Sequence, residues 1–193
     1  SPLQDGDLLL IDAGCSAGYY NSDVTRTFPV NGKLTTEKKI IYELVLDAQM
    51  ASIEQVKPGT TWKDFHHTSV QIITEGLVQR ELLSGDVDTL IEEEKYKNFY
   101  MHGTGHWLGL DVHDAGIYMH GAETWYQFQP GNIITVEPGI YISPDIQPAE
   151  GQPTIDDCWK GIGVRIEDDV LVTPTGNEVL TAAIPKFVED LEF

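Results

Sequence analysis

The chain has 193 residues, a usual size for one domain and enough to bury a core without disulfide or metal staples. Hydrophobic residues make up 41% and aromatics 9%, which excludes an intrinsically disordered chain. Only 12 Lys and Arg stand against 31 Asp and Glu, and a formal charge of -19 excludes a nucleic-acid backbone as partner while favouring cations.

The chain opens on Ser1-Pro2 and enters the apolar run Leu8-Leu9-Leu10-Ile11 within a few residues, as expected of a piece cut from a longer protein. Residues 7–14 (DLLLIDAG) predict a buried strand closed by Gly14. Residues 18–30 predict a second strand region in which Asp23, Thr25 and Thr27 share a face, with Pro29 at its end and Asn31-Gly32 as a turn. From Thr36 to about Lys57 the period becomes helical, with Ile40, Ile41, Leu44, Val45, Ala48 and Ala51 as the apolar stripe and Pro58-Gly59 as the stop. A second helix is expected from Trp62 to Leu83, capped by Thr61 with Asp64 three residues on, a weaker form of the capping box than Glu or Gln would give.

Residues 84–98, with five acidic residues and two lysines, read as an exposed loop with a short helical piece. Residues 99–128 are rich in Gly, His and aromatics without a clear period, which suits loops and short strands around a site. Residues 133–137 predict a strand running into Pro138-Gly139, and 162–172 (IGVRIEDDVLV) predict another before the turn 173–176. A strand pair, two helices and further strands make an α+β domain with a mainly antiparallel sheet.

Cys15 and Cys158 are too few and too far apart for a disulfide framework or a zinc knuckle, and read as buried or idle thiols of a reducing compartment. No apolar run approaches the roughly 20 residues of a membrane span, and no signal peptide opens the chain. A cytoplasmic location with no membrane and no nucleic-acid partner is expected.

Four carboxylates fall where surface charge is not expected: Asp12 ends the most apolar strand, Asp23 lies in a Tyr/Val/Thr/Phe-rich one, and Glu137 and Glu167 follow apolar runs. Such positions are costly unless the charge is paired, hydrogen-bonded or bound to metal. His102, His106, His113 and His120 fall within a short stretch interleaved with Gly103, Gly105, Gly109 and Gly116. Histidine among several carboxylates suits Mn²⁺, Zn²⁺, Co²⁺ or Fe²⁺ and argues against a thiolate site. Residue types alone do not select the ligands, because Asp111, Asp114, Asp168 and Asp169 are also close in sequence.

Four segments resemble the pita-bread metallopeptidases, most closely Xaa-Pro aminopeptidases and next prolidases: IDAGCSAGYYNSDVTRTFPVNGKLT at 11–35, YMHGTGHWLGLDVHDAG at 100–116, ITVEPGIYI at 134–142 and GVRIEDDVLVT at 163–173. The resemblance implies a partial pita-bread (creatinase/aminopeptidase-like) α+β fold, with a curved antiparallel sheet and covering helices. Residues 1–193 would be the C-terminal portion of the catalytic domain, with the preceding half-domain and an N-terminal domain absent. It implies two divalent ions, Mn²⁺ foremost, on Asp12, Asp23, His106, Glu137 and Glu167. Glu137 would also shuttle protons, with His102 and His113 as catalytic histidines. Tyr141 and Arg165 would border the pocket or support the ligands, and Trp107 would line the pocket or fill core.

The activity implied is removal of the first residue from peptides with proline second. The alternatives are a prolidase acting on Xaa-Pro dipeptides, or a non-catalytic pita-bread module that binds protein. A homo-oligomeric parent is expected, with a fragment that self-associates and has little activity alone.

Overall fold

The computed structural model describes residues 2–192; Ser1, where the chain opens, lies outside them. Antiparallel strands β1 (Leu8–Ala13) and β4 (Val24–Pro29) pair with Asp12 opposite Thr25 and Leu10 opposite Thr27. Between them the short hairpin β2 (Ser16–Ala17) and β3 (Tyr20–Asn21) turns at Gly18-Tyr19. The predicted strand over 18–30 is therefore broken at Ser22-Asp23, which belong to neither strand, and Pro29 closes it where a missing N–H costs no ladder bond.

The predicted burial of β1 does not hold along its length. Leu8, Leu9 and Leu10 are half-buried, but Ile11 is 44% exposed and Asp12 and Ala13 are exposed too. Among the described residues β1 pairs only with β4, and its outer end runs along an open cavity.

Helices α1 (Thr36–Gln55) and α2 (Trp62–Gln79) pack together. Thr35 caps α1 by accepting from the Lys38 N–H, and the chain leaves the helix ahead of Pro58. Thr61 and Asp64 form a reciprocal capping box, so the shorter Asp64 carboxylate completes the motif. The second helix stops four residues before the expected Leu83. Glu81 takes a left-handed φ of 58°, and the Leu82 and Leu83 amides turn back to the Leu77 carbonyl.

The acidic stretch contains α3 (Val87–Glu92) and a 3₁₀ turn, Lys95–Asn98, anchored by buried Leu90 and Tyr96. The small hairpin β5 (Met119–His120) and β6 (Thr124–Trp125) lies in the predicted loop region. Strand β10 (Asp168–Thr173) pairs antiparallel with both β7 (Ile133–Val136) and β11 (Gly176–Val179), while β8 (Gly139–Tyr141) pairs with β9 (Gly163–Arg165). The single strand expected over 162–172 is thus two strands, with Ile166 and Glu167 in the break. Helix α4 (Val188–Leu191), which the sequence did not signal, closes against α1.

Two cores hold these elements. One joins α1, α2 and α3 to β8, β9 and α4 through Ile41, Val45, Ile73, Leu77, Ile140 and Val164. Leu77 is fully buried there, so Leu77→Ala should cost ~2–5 kcal/mol, read as a lower midpoint in urea at unchanged slope. The second core stacks Trp62, Phe65, Trp107 and Phe128 on Ile134, Val136, Val170 and Val172. Cys15 and Cys158 are both exposed, which removes the buried reading of these thiols. Among the described residues no helix is long and apolar enough to cross a membrane.

Candidate metal centre

The ladders β7–β10 and β8–β9 are interrupted at the same level. Glu137 and Pro138 occupy one break, Ile166 and Glu167 the other, and the Ile166 N–H reaches the Pro138 carbonyl at 3.4 Å. The Glu167 N–H donates instead to the Thr25 carbonyl of β4 at 3.0 Å, so both glutamates come beside the β1–β4 pair. Thr25 Oγ1, opposite Asp12, donates to Glu167 Oε2 at 2.6 Å.

Three groups of side chains each bring one ligand atom per residue within 4.8 Å of one another: Asp23, His106 and His113; His106, Glu137 and Glu167; and Asp12, Asp23 and Glu167. Asp23, His106 and Glu167 each belong to two groups, so the three merge into one cluster. His106 Nε2 lies 3.5 Å from both Asp23 Oδ2 and Glu137 Oε1. His106 Nδ1 is 3.0 Å from the Trp107 carbonyl, which can only accept, so Nδ1 carries the proton and Nε2 turns a lone pair toward the carboxylates.

The four carboxylates differ in burial. Glu167 is 1% and Asp23 9% exposed, whereas the Asp12 side chain is 46% exposed. The cost of a charge at an apolar position therefore applies to the first two and not to Asp12. Burial pushes Glu137 up to about 7; Arg165 opposes this, while Asp23 and Asp12 add to it. Burial and then the neighbouring Glu137 push Glu167 up to about 8, and burial followed by Asp12 raises Asp23 as well. Carboxylates crowded this closely and raised together lack positive charge between them, which divalent cations supply. The donor set of carboxylate oxygens and one oriented imidazole fits such ions.

Arg165 lines the same cavity, and the Tyr141 hydroxyl bonds two of the lining residues, Arg165 and His102. Arg165 Nη2 donates to Asp12 Oδ2, Nε to Thr25 Oγ1 at 3.1 Å, and Nη1 to the Tyr141 hydroxyl at 3.2 Å. His102 Nδ1 donates to the Gly103 carbonyl at 2.7 Å, so its Nε2 accepts from the Tyr141 hydroxyl at 2.8 Å. Burial, then the charge of Arg165, lowers the His102 pKa against that backbone bond and keeps the ring neutral. His102 thus has no free N–H in this arrangement. His113 is exposed with its ring centroid 4.1 Å from that of His106.

Trp107 fills the second core against Trp62, Tyr126 and Phe128 and does not line the cavity. His120 pairs its ring with Tyr126 on the β5–β6 hairpin, away from the cluster. Asp114 holds the 110–115 loop by accepting from the Leu110 and Ala115 amides. Asp169 accepts from the Asp23 N–H at 3.2 and 3.3 Å, and Asp168 sits in a buried ion network.

Three contributors escaped the sequence reading as parts of the site. Thr135 Oγ1 accepts from the His106 N–H at 3.0 Å and donates to Glu137 Oε1 at 3.3 Å, linking two elements through one hydroxyl. Thr104 receives the Glu137 N–H on its carbonyl at 2.7 Å, and its hydroxyl meets His66 Nδ1 at 2.8 Å and the Tyr100 hydroxyl at 2.6 Å. Thr25 is the third. The strand period at Thr25 and Thr135 and the middle position of HGTGH were the available signals.

Gly105 shows why that motif needs glycine. A Cβ there would lie 2.0 Å from the Thr135 carbonyl oxygen, so Gly105→Ala must push His106 away from Thr135. We expect this variant to lose ~1–3 kcal/mol of stability and to bind Mn²⁺ at least tenfold more weakly, measured by calorimetric titration.

The antiparallel strands, the helices packed on them and the carboxylate–imidazole cluster fit the metallopeptidase class. The chain matches metallopeptidase family M24 over residues 1–174 and belongs to that family, which implies divalent metal ions. It is 53% identical over 191 residues to a Xaa-Pro aminopeptidase of Haemophilus influenzae, and 46% identical over 190 residues to one of Escherichia coli strain K12. These alignments cover 99% and 98% of this chain but 42% and 41% of those proteins. Among solved structures, Pseudomonas aeruginosa aminopeptidase PepP superposes with a TM-score of 0.94 at 54% identity, over 99% of this chain and 42% of that one. Zn-substituted Escherichia coli aminopeptidase P in complex with product gives 0.91 at 46% identity, over 99% and 41%. The fold is therefore a partial pita-bread fold, and the chain spans about two fifths of the relatives it matches.

Proposed function

We propose that the protein carrying this chain is a Xaa-Pro aminopeptidase, a hydrolase that releases the first residue from peptides with proline in second position. Two divalent ions would be held by Asp12, Asp23, His106, Glu137 and Glu167. The observation that carries this reading is the merging of three ligand groups through Asp23, His106 and Glu167. They converge beside an open cavity of about 450 Å³ lined by Asp12, His102, His106, His113, Glu137 and Arg165. Four ionised carboxylates balance two divalent charges, and the oxygen-rich set favours Mn²⁺, with Zn²⁺, Co²⁺ or Fe²⁺ as alternatives.

When bound, such ions acidify a water and polarise the scissile carbonyl. Glu137, which lines the cavity with Oε1 facing His106 Nε2, takes the proton of the attacking water and returns it to the departing nitrogen. A proline nitrogen has no hydrogen of its own in the peptide, so this delivery is needed for it to leave. His113, exposed at the cavity, is the imidazole available to the carbonyl oxygen as charge develops there. His102 keeps Tyr141 in place by accepting a hydrogen bond from its hydroxyl, and Arg165 ties Tyr141 to Asp12.

The discriminating assay compares an Xaa-Pro-Xaa tripeptide with an Xaa-Pro dipeptide in the presence of Mn²⁺. Release of the first residue from the tripeptide supports the proposal; cleavage of the dipeptide alone indicates a prolidase. No turnover and no metal uptake would indicate a protein-binding module. Because the relatives are more than twice as long, we expect the 193-residue chain to take up metal yet turn over far more slowly than a full-length relative. Comparable rates would contradict that expectation. Ile11, Tyr20 and Tyr118 leave apolar surface exposed, and we expect light scattering to report self-association rather than a monomer. Two exposed free thiols are at home in a reducing, cytoplasmic setting.

A further inference from the structure

Arg26, three residues beyond Asp23, is 3% exposed and uses all five of its N–H donors. Nη1 donates to the Thr25 carbonyl at 2.9 Å and the Glu167 carbonyl at 2.6 Å. Nη2 donates to Asp168 Oδ1 at 2.8 Å and the Ile184 carbonyl at 3.0 Å, and Nε to the Pro185 carbonyl at 2.9 Å. Asp168 is fully buried and also accepts from Thr181 Oγ1, Gln49 Nε2 and Lys186 Nζ, each at 2.7 Å. Lys186 Nζ donates in turn to Gln49 Oε1 at 2.9 Å.

These bonds meet at the break between β9 and β10. Glu167 there gives its N–H to Thr25 and its carbonyl to Arg26, so both of its main-chain partners lie on β4. The far side of the guanidinium is gripped by residues 181–186, which follow the family-matched residues 1–174. The planar fork spans three elements that a lysine ammonium, a single point of charge, does not span.

We propose that Arg26, Asp168 and Lys186 form a positioning lock for the Glu167 carboxylate, with the 181–186 segment as its outer wall. None of the three touches the cluster with its own side chain; they act by fixing the Glu167 backbone and hence where Oε2 meets Thr25. The lock rests on the proposed metal site, and its test separates the two.

Mn²⁺ affinity is measured by calorimetric titration on the wild-type chain, Arg26→Lys, Lys186→Met and, as a control, Leu77→Ala. The visible absorption of the Co²⁺-loaded proteins reports ligand geometry. Arg26→Lys should bind Mn²⁺ about 10–100-fold more weakly and alter the Co²⁺ spectrum. Lys186→Met should shift both in the same direction, and Lys186→Arg should restore them. Leu77→Ala should lower the melting temperature yet keep wild-type affinity and spectrum. If Arg26→Lys does not fold, Lys186→Met alone decides. Wild-type affinity and spectrum in the folded lock variants, or equal losses in Leu77→Ala, would overturn the lock while leaving the metal site standing. A wild-type chain that takes up no metal sinks both.

Discussion

Glu137→Gln is expected to reduce Xaa-Pro cleavage by about 10³-fold or more in kcat, with the smaller effect on KM, because the amide neither ligates as a carboxylate nor carries a proton. The environment of Glu137 supports a double role. Its Oε1 receives the Thr135 hydroxyl and faces His106 Nε2, and its Oε2 lies 3.9 Å from Arg165 Nε. Thr135→Val should show the milder effect of a misaligned Glu137, about 10–100-fold in kcat/KM with the fold retained. Equal loss in Thr135→Val and Glu137→Gln would argue that the variants disturb the strand rather than proton transfer.

A second large effect concerns metal, pH and stability together. Glu137 moves from 4.5 to about 7 on folding and Glu167 from 4.5 to about 8. Both shifts are upward, so between about pH 4.5 and 8 the metal-free folded state holds more protons than the unfolded one. This cluster's contribution to metal-free stability is therefore fully present below the unfolded value and is lost as pH rises toward about 8. Divalent ions reverse the trend, because they bind the ionised carboxylates and compete with protons for the same oxygens. At pH 8.5, Mn²⁺ at a hundredfold over its Kd should add ~2.7 kcal/mol per bound ion and raise the melting temperature by roughly 5–10 °C for each. At pH 6 the gain should shrink. Thermal melts with and without Mn²⁺ at both pH values check this, and a gain independent of pH would mean that the ions bind elsewhere.

The sequence made the periodic elements legible and left the breaks obscure. Helix α1 was readable because Ile41, Leu44, Val45 and Ala48 recur on one face ahead of Pro58, and the start of α2 was marked by Thr61 and Asp64. Its end was overestimated because Leu82 and Leu83 look like a continued apolar stripe, although they pack from a left-handed turn at Glu81. The interruption at Ile166-Glu167 was invisible because Val164, Ile166, Val170 and Val172 keep one period of two across it, so the apolar pattern gives no sign of a break.

The candidate site was legible to a different degree. Residue types nominated carboxylates and histidines but left Asp168 and Asp169 beside Glu167 as equals. The resemblance singles out Glu167, and three-dimensional pairing gives the physical reason: Asp168 faces Arg26 and Lys186, Asp169 faces the Asp23 amide, and Glu167 faces the cluster. Adjacent residues at a strand break point in different directions, which sequence spacing does not convey. Likewise the donor state of His102 depends on Tyr141 and Gly103, partners that resemblance to a motif does not report.

On the proposed function, Asp12, Asp23, His106, Glu137 and Glu167 hold two divalent ions. Elemental analysis of the purified chain, after saturation with Mn²⁺ at pH 8 and removal of free metal, counts these ions alongside Asp23→Ala and His106→Ala. Two ions are expected per wild-type chain and fewer in both variants, with all three proteins retaining the same helix content by circular dichroism. No bound metal in the wild type, or occupancy that neither substitution changes, would contradict that ligand set.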